Sequence, residues 1–340
     1  MDRTQADIQE IIRNRELFDA LNSSTVFVTG ATGLIGSMLV RTILAANEQY
    51  DLCIKVIGQI RNHEKAKAIY GDRYDSVSFV ADPHIKCDHI VHTVSPTTSK
   101  FFIDHPVETI KASVGSAMEI LEVARENGAS MVFLSSMEQY GVPYVPGQRM
   151  TEEKTGEINH LSTRSSYSES KRLCECLCAC YASEYNVNVM IARLAQTFGA
   201  GAPLTDNRMP MQFARAAANG SDIVLHTDGK SMSNSVYLTD AITGILTILE
   251  KGEPGQAYNV CNDQETRSVR EIAELVCHEV AGDKIKVRIE KKENMGYAPD
   301  IAMYMDSGKL RKLGWNADVG LTEAYRRLVS YLTRNDPLDA

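Results

Sequence analysis

Near its start the chain reads TVFVTGATGLIGSMLV, with glycines at 30, 33 and 36. No other segment limits the fold as much. Residues 25–29 are apolar and β-branched, which suits a buried strand. The glycines follow at once, and a helical pattern begins near Leu34. Glycine permits the tight turn and lets the backbone approach a pyrophosphate. The helix N-terminus adds unpaired N–H donors and a favourable dipole. The expected cofactor-binding residues on this turn are Gly30, Thr32, Gly33, Leu34, Ile35 and Gly36.

The following segments extend the same pattern. Strands read at 53–58, 77–80, 89–93, 131–135 and 187–192, with helices at 62–70, 106–127 and 165–185. Strands alternating with long helices predict an α/β fold, a Rossmann-type doubly wound parallel sheet. A short helix is expected at 5–20, with apolar positions at Ile8, Ile11, Ile12 and Phe18. Past residue 200 the texture changes. Helices read at 209–219, 237–250, 270–280 and 321–332, strands at 223–226 and 285–289, and a loop at 292–301. These predict a smaller interleaved α/β substrate lobe whose elements partly return to the first domain. The expected division is a helical extension at 1–22, an NAD(P)-binding domain at 23–200, a mainly substrate-binding lobe at 201–333 and a tail at 334–340.

Composition excludes several classes of function. With 340 residues, 44% hydrophobic, 24% charged and a net charge of −8, the chain has an ordinary globular balance. An acidic chain is a poor candidate for a broad nucleic-acid surface. No run of about 18 uninterrupted apolar residues occurs, so no membrane partner is expected. The polar, charged N-terminus does not read as a signal peptide. Eight cysteines without a CxxC pair fit a reducing cytoplasmic setting. Four of them alternate along one expected helix. There Cys174 and Cys178 share one face, and Cys176 and Cys180 another. Four thiolates so spaced do not converge on one point, so they read as packing residues and no metal site is expected.

A catalytic pair stands at Tyr167 and Lys171, whose i,i+4 spacing on a helix puts both on one face. A lysine there is expected to lower the tyrosine pKa and make a phenolate base usable near neutral pH. The segment LSSMEQYG follows a buried strand and supplies Ser135, Ser136 and Glu138 at its end. Where an acidic residue would receive the ribose hydroxyls of NAD, the chain reads VIGQIRN, with no carboxylate. Arg61 there either meets a 2′-phosphate or faces solvent. Asp82 is either an adenine contact or a turn residue before Pro83. NAD is the expected cofactor, with NADP not excluded.

Together these motifs resemble the extended short-chain dehydrogenase/reductase family, in its NAD-dependent epimerase, dehydratase and decarboxylase branch. The resemblance spans residues 23–333 through TGATGLIG, SSMEQYG, YSESK, TFG with TDNR, YLTDA and LGW. HTVSPTTSKFFIDHPVETI, RSSYSESKR and TFGAGAPLTDNR are most similar to UDP-glucuronate decarboxylases. The resemblance implies that Tyr167 takes the proton of a sugar C4 hydroxyl while Lys171 holds the nicotinamide ribose. It implies that Ser136 binds the C4 oxygen. Glu138 either handles a proton near C5 or orders the adjacent loop. The implied substrate contacts are Ser95, Ser136, Gln196 and Arg208, on a nucleotide sugar. The implied chemistry passes through a 4-keto sugar to decarboxylation, 4-epimerisation or 4,6-dehydration. Met137 occupies the position of the dehydratase acid and cannot donate a proton. Net oxidoreduction and a non-catalytic dinucleotide-binding role are the other readings. Family members commonly pair as homodimers through helices corresponding to 106–127 and 165–185.

Three positions depart from the family pattern. Ser233 stands where an arginine usually meets the substrate phosphates, Gln196 where an asparagine is usual, and Ala302 near a second common basic position. Losing these groups removes charge-assisted phosphate contacts; either Arg208 and Lys230 replace them, or the substrate is not an ordinary nucleotide sugar or is bound weakly.

Overall fold

A computed structural model describes residues 2–95, 99–292 and 300–334. Seven strands form one parallel sheet: β1 (Thr25–Thr29), β2 (Lys55–Gln59), β3 (Ser78–Val80), β4 (His89–His92), β5 (Ser130–Ser136), β6 (Val189–Leu194) and β7 (Ala257–Val260). Their order is β7-β6-β5-β4-β1-β2-β3. The sheet therefore reverses its direction of growth between β1 and β4. In open α/β sheets the crevice at such a switch point, beyond the strand C-termini, is where ligands bind.

The period-two alternation of the strands fills two cores. Val26, Val28, Val132, Leu134, Met190 and Ala192 enter one, with helices Leu34–Tyr50 and Leu238–Lys251. Phe27, Met131, Phe133, Val189 and Ile191 enter the other, with helices Pro106–Asn127 and Ser166–Tyr185. Strands buried on both faces read as nearly continuous apolar runs, as these do. Cys174 and Cys178 are buried in the second core, while Cys176 and Cys180 are exposed.

A third core holds Phe198, Tyr237, Phe213 and Tyr325, packed by helices Met209–Asn219 and Leu321–Arg334. Beside it, strands Gln196–Phe198, Met232–Tyr237 and Thr266–Ser268 form a separate three-stranded sheet. Helix Arg3–Ile12 ties the parts together. Its Ile8, Ile11 and Ile12 join the large core, while its buried Asp7 accepts from Tyr237 Oη at 2.7 Å and pairs with Arg3 and Arg327. Burial still holds the Asp7 carboxyl above its ordinary pKa.

Some expected elements differ. The helix expected at 5–20 leaves helical geometry at Asn14 (φ −89°, ψ 89°) and resumes as a 3-10 turn, Arg15–Leu21, which buries Leu17, Phe18 and Leu21. The strand expected at 53 begins at Lys55, because Asp51 and Cys53 have φ of 53° and 56°. The helix expected at 270–280 is Val269–Leu275, started by a Ser268–Glu271 capping box, and then one π turn. β7 and the Met232–Tyr237 strand were not anticipated from the sequence. Of the expected loop at 292–301, residues 293–299 lie outside the described residues. So do 96–98 of the SP-containing loop and 335–340 of the expected tail.

Candidate active site

The glycine turn leads from β1 into helix Leu34–Tyr50. Gly30 has φ +64°, and a Cβ there would lie 2.6 Å from Thr93 Oγ1. Thr93 is fixed in turn by donating to the Thr29 carbonyl at 2.7 Å. At Gly36 a Cβ would lie 2.4 Å from the Gly30 carbonyl oxygen, so only glycine lets the helix pack this tightly on the turn. Gly33 is exposed, and a Cβ there would meet only the Gly30 oxygen, at 3.2 Å. No side chain caps the helix. The N–H groups of Leu34, Ile35 and Gly36 therefore head an uncapped N-terminus beside a Cβ-free surface, with Thr32 half-buried alongside. These features fit a dinucleotide pyrophosphate.

At the adenosine end, β2 finishes with Gly58, whose Cβ would crowd Ala31 and Phe79 at 3.0–3.1 Å. The Gln59 amide donates to the Ala81 carbonyl at 3.1 Å, and Asn62 caps the next helix by accepting from Lys65 N. Arg61 is exposed and has no partner among the described residues. Asp82 Oδ1 accepts from His84 N at 2.9 Å, as in an Asx turn.

The catalytic end gathers residues from β5 and helix Ser166–Tyr185. Ser136 ends β5, accepts from Glu138 N at 3.2 Å, and lies beside the Tyr167 phenol, whose ionised form it favours. Tyr167 is buried, with its ring stacked flat on Phe102 at a 4.3 Å centroid separation and 4° between planes. Lys171 is also buried; its Nζ donates to the Leu134 carbonyl at 2.7 Å and lies 5.7 Å from the Tyr167 ring centroid. Burial lowers Lys171 to about 8. Tyr167 instead moves up, because burial removes its solvation and the Glu138 carboxylate opposes a second negative charge. In the unloaded protein Lys171 does not draw Tyr167 toward phenolate: it is not among the groups that act on the phenol, and its amine is committed to a backbone carbonyl.

The expected substrate contacts are dispersed. Ser95 Oγ lies 3.4 Å from Ser113 Oγ. Gln196 is half-buried, in register with Ser235. The Arg208 guanidinium is taken up by Asp206, at 2.8–3.2 Å, and by the Thr197 carbonyl at 3.1 Å. Lys230 is exposed. Ser233 stands directly opposite Arg267 on the neighbouring antiparallel strand, and opposed residues share a face. Ala302 bridges to Met232.

Several supporting residues were not read from the sequence. Glu175, on the helix of Tyr167 and Lys171, accepts from Ser135 Oγ and pairs at 2.7–3.1 Å with the buried Arg193. Arg193 also donates to Tyr140 Oη and to the Glu152 carbonyl. His92 is fully buried, shares a 2.9 Å hydrogen bond with Thr29 Oγ1, and is lowered to about 3 by burial and by Lys171. Arg164, three residues before Tyr167, contacts Glu138 at 3.4 Å. Glu175 was the most findable of these, because it continues the Tyr167–Lys171 face by one more i,i+4 step.

Among known proteins, the model of the NAD dependent epimerase/dehydratase family matches residues 26–261. UDP-glucuronic acid decarboxylase 6 of Arabidopsis thaliana is 29% identical over 92% of this chain and 89% of its own length. UDP-glucose 4-epimerase of Thermotoga maritima superposes with a TM-score of 0.74 at 18% identity, over 91% of this chain and 99% of its own. dTDP-glucose 4,6-dehydratase of Bacillus anthracis, in complex with NAD, gives a TM-score of 0.73 at 18% identity, over 92% and 97%. At these identities the two structural likenesses establish the fold.

Proposed function

The chain belongs to the NAD dependent epimerase/dehydratase family, and on that premise we propose that it modifies a nucleotide sugar through a 4-keto intermediate, in the manner of a UDP-glucuronate decarboxylase. The observation that carries this reading is the convergence of Ser136, Glu138, Tyr167 and Lys171 at the crevice end of β5. The 29% identical decarboxylase relative supports the choice among reactions.

The dinucleotide, when bound, supplies the hydride acceptor for sugar C4 and returns the hydride, so the cycle is redox-neutral. Gly30, Gly33, Gly36 and the first turn of the following helix hold its pyrophosphate. Lys171 binds the nicotinamide ribose. In this reading Tyr167 takes the proton of the C4 hydroxyl as a phenolate, a form that burial opposes in the unloaded protein and that the positive charge of a bound oxidised nicotinamide would favour, while Ser136 holds the C4 oxygen. The resulting ketone acidifies C5. When the C5 carboxyl group leaves as carbon dioxide, the electron pair of the broken bond passes into the ketone as an enolate. C5 then takes a proton, with Glu138 the carboxyl group beside the site, and Tyr167 gives its proton back to the C4 oxygen on reduction. Met137 has no proton to donate, which weighs against 4,6-dehydration.

Residues 201–333 supply most of the substrate contacts in this reading. With Arg208 occupied by Asp206, we assign the phosphate contact to Arg267, opposite Ser233. A homodimer through helices Pro106–Asn127 and Ser166–Tyr185 is also proposed. Val107, Ile110 and Met118 on the first and Leu173 on the second are exposed apolar residues. No helix among the described residues is long and apolar enough to cross a membrane. The eight unpaired cysteines support a reducing cytoplasmic setting.

The test is a panel of UDP-sugars with the cofactor-loaded protein. Carbon dioxide and a UDP-pentose from UDP-glucuronate support the reading. Conversion of UDP-glucose to its C4 epimer instead replaces it with 4-epimerisation.

A further inference from the structure

Helix Arg3–Ile12 precedes the first strand of the sheet and takes no part in the reaction proposed above. Its apolar face is explained by Ile8, Ile11 and Ile12, which fill the large core. Asp7 is not explained in that way. It is fully buried, and a buried carboxylate is costly unless it is paired and hydrogen-bonded. Burial holds its pKa up in spite of Tyr237, Arg3 and Arg327. Apolar residues often serve stability as well as a buried ion pair does, so the use of Asp7 is to be sought in what it connects.

Arg3, one turn back on the same helix, pairs with Asp7 at 2.6 Å. Arg327, from helix Leu321–Arg334, pairs with it at 3.4 Å and is itself held by Glu10 and Glu323 at 3.0 and 2.8 Å. Tyr237, the last residue of its strand, donates its hydroxyl to Asp7 at 2.7 Å. Tyr237 stands in register with Phe198, and the two rings meet edge to face at a 6.1 Å centroid separation. Phe198 also ends a strand, and residues 199–208 lead from it to helix Met209–Asn219. Two further contacts bound that segment. The Ala202 carbonyl accepts from Tyr331 Oη at 3.1 Å. A Cβ on Gly201 would lie 3.9 Å from the Thr4 methyl and 4.0 Å from Leu34, the first residue of the helix at the glycine turn. Thr4 and Asp7 are three residues apart on one face of their helix, and both are buried.

We propose that helix Arg3–Ile12 is a strap that fixes residues 199–208 beside the glycine turn, and that Asp7, acting through Tyr237, is a positioning residue for the substrate. For the substrate this rests on the reading above, in which residues 201–333 supply most of its contacts. Asp7 touches neither ligand in this arrangement. Its removal loosens the segment at the Phe198 end, whereas Thr4 and Tyr331 hold the middle from their own elements. The glycine turn is packed by Gly36 against the Gly30 carbonyl, within one continuous segment, so dinucleotide binding is independent of the strap. Deleting the helix would uncover Ile8, Ile11 and Ile12, so the strap is tested by changing single groups.

Hydrogen exchange and titration calorimetry on the full chain test it. Asp7→Ala and Tyr237→Phe each remove the hydrogen bond. Each is expected to speed exchange of the 199–208 amides roughly 10–100-fold, the scale of a hydrogen bond to a charged group, with residues 26–40 around the glycine turn unchanged. UDP binding to the cofactor-loaded protein should weaken roughly tenfold while NAD+ binding stays within about twofold. Asp7→Asn keeps an acceptor for the Tyr237 hydroxyl and should recover most of both losses. The double variant Asp7→Ala, Tyr237→Phe should be no worse than either single one, because the two act through one bond. Faster exchange confined to residues 3–12, wild-type UDP affinity in both variants, or additive losses in the double variant overturns the inference. A wild type that does not bind UDP, while its variants show the 199–208 response, overturns the nucleotide-sugar reading and leaves the strap standing.

Discussion

Lys171 carries a cost in stability that its catalytic position requires, and Lys171→Met exposes it. Burial lowers the amine from 10.5 to about 8 in the folded protein. Each pKa unit corresponds to about 1.4 kcal/mol, so near pH 7 the charged amine destabilises the fold by about 3 kcal/mol. Methionine of similar length removes that penalty but leaves the Leu134 carbonyl without its 2.7 Å donor, at a cost of about 1 kcal/mol. The variant is therefore expected to be about 2 kcal/mol more stable near pH 7. The sign of the pH dependence follows from proton binding. Between about pH 8 and 10.5 the unfolded lysine holds a proton that the folded one has lost, so wild-type stability gains on the variant as pH rises through that window. By about pH 9.5 the penalty has fallen by roughly 2 kcal/mol and the two proteins should be nearly equal. Urea unfolding at the two pH values measures the difference, and groups common to both proteins cancel. A variant no more stable than wild type near neutral pH, with a gap independent of pH, would refute the reasoning.

Other residues give separate predictions. Arg193→Met should destabilise by about 3–5 kcal/mol in urea unfolding, because it strands the Glu175 carboxylate, while an Arg193→Met, Glu175→Met double variant should recover most of that. A single variant within 1 kcal/mol of wild type, roughly the scale of a surface pair, would remove the pair from the account. Arg61→Ala should weaken NADP+ binding roughly tenfold and leave NAD+ unchanged in calorimetry, since the segment VIGQIRN that ends β2 holds no carboxylate and Arg61 is its one cation; equal effects on both cofactors would return Arg61 to solvent. Ile110→Glu with Leu173→Glu should shift the sedimentation mass from dimer to monomer, and an unchanged mass would move the interface elsewhere.

What the sequence made legible was local. The glycine turn could be read because strand, turn and helix are contiguous, and its tight packing follows from Gly36 resting on the Gly30 carbonyl within the same segment. Tyr167 and Lys171 could be read because helical spacing alone puts them on one face. β7 could not, since AYNV becomes a central-sheet strand only by pairing with residues 191–194 far away in the chain. The direction of the Tyr167 shift was hidden for a related reason. Helical spacing brings the lysine near, but burial under Phe102 and the approach of Glu138 come from other segments. Asp82 and Arg208 each bond to a neighbour two residues away, a local contact that sequence spacing alone did not indicate.

The central claim is an internal hydride cycle at C4. UDP-glucuronate carrying deuterium at C4 tests it most directly, with the product analysed by mass spectrometry and absorbance followed at about 340 nm, where reduced nicotinamide is detected. The account predicts a UDP-pentose that retains the C4 deuterium, one carbon dioxide per product, and no accumulating reduced cofactor. Tyr167→Phe should form neither product while still binding the dinucleotide. A pentose that has lost the label, or reduced cofactor accumulating with each turnover, would contradict it.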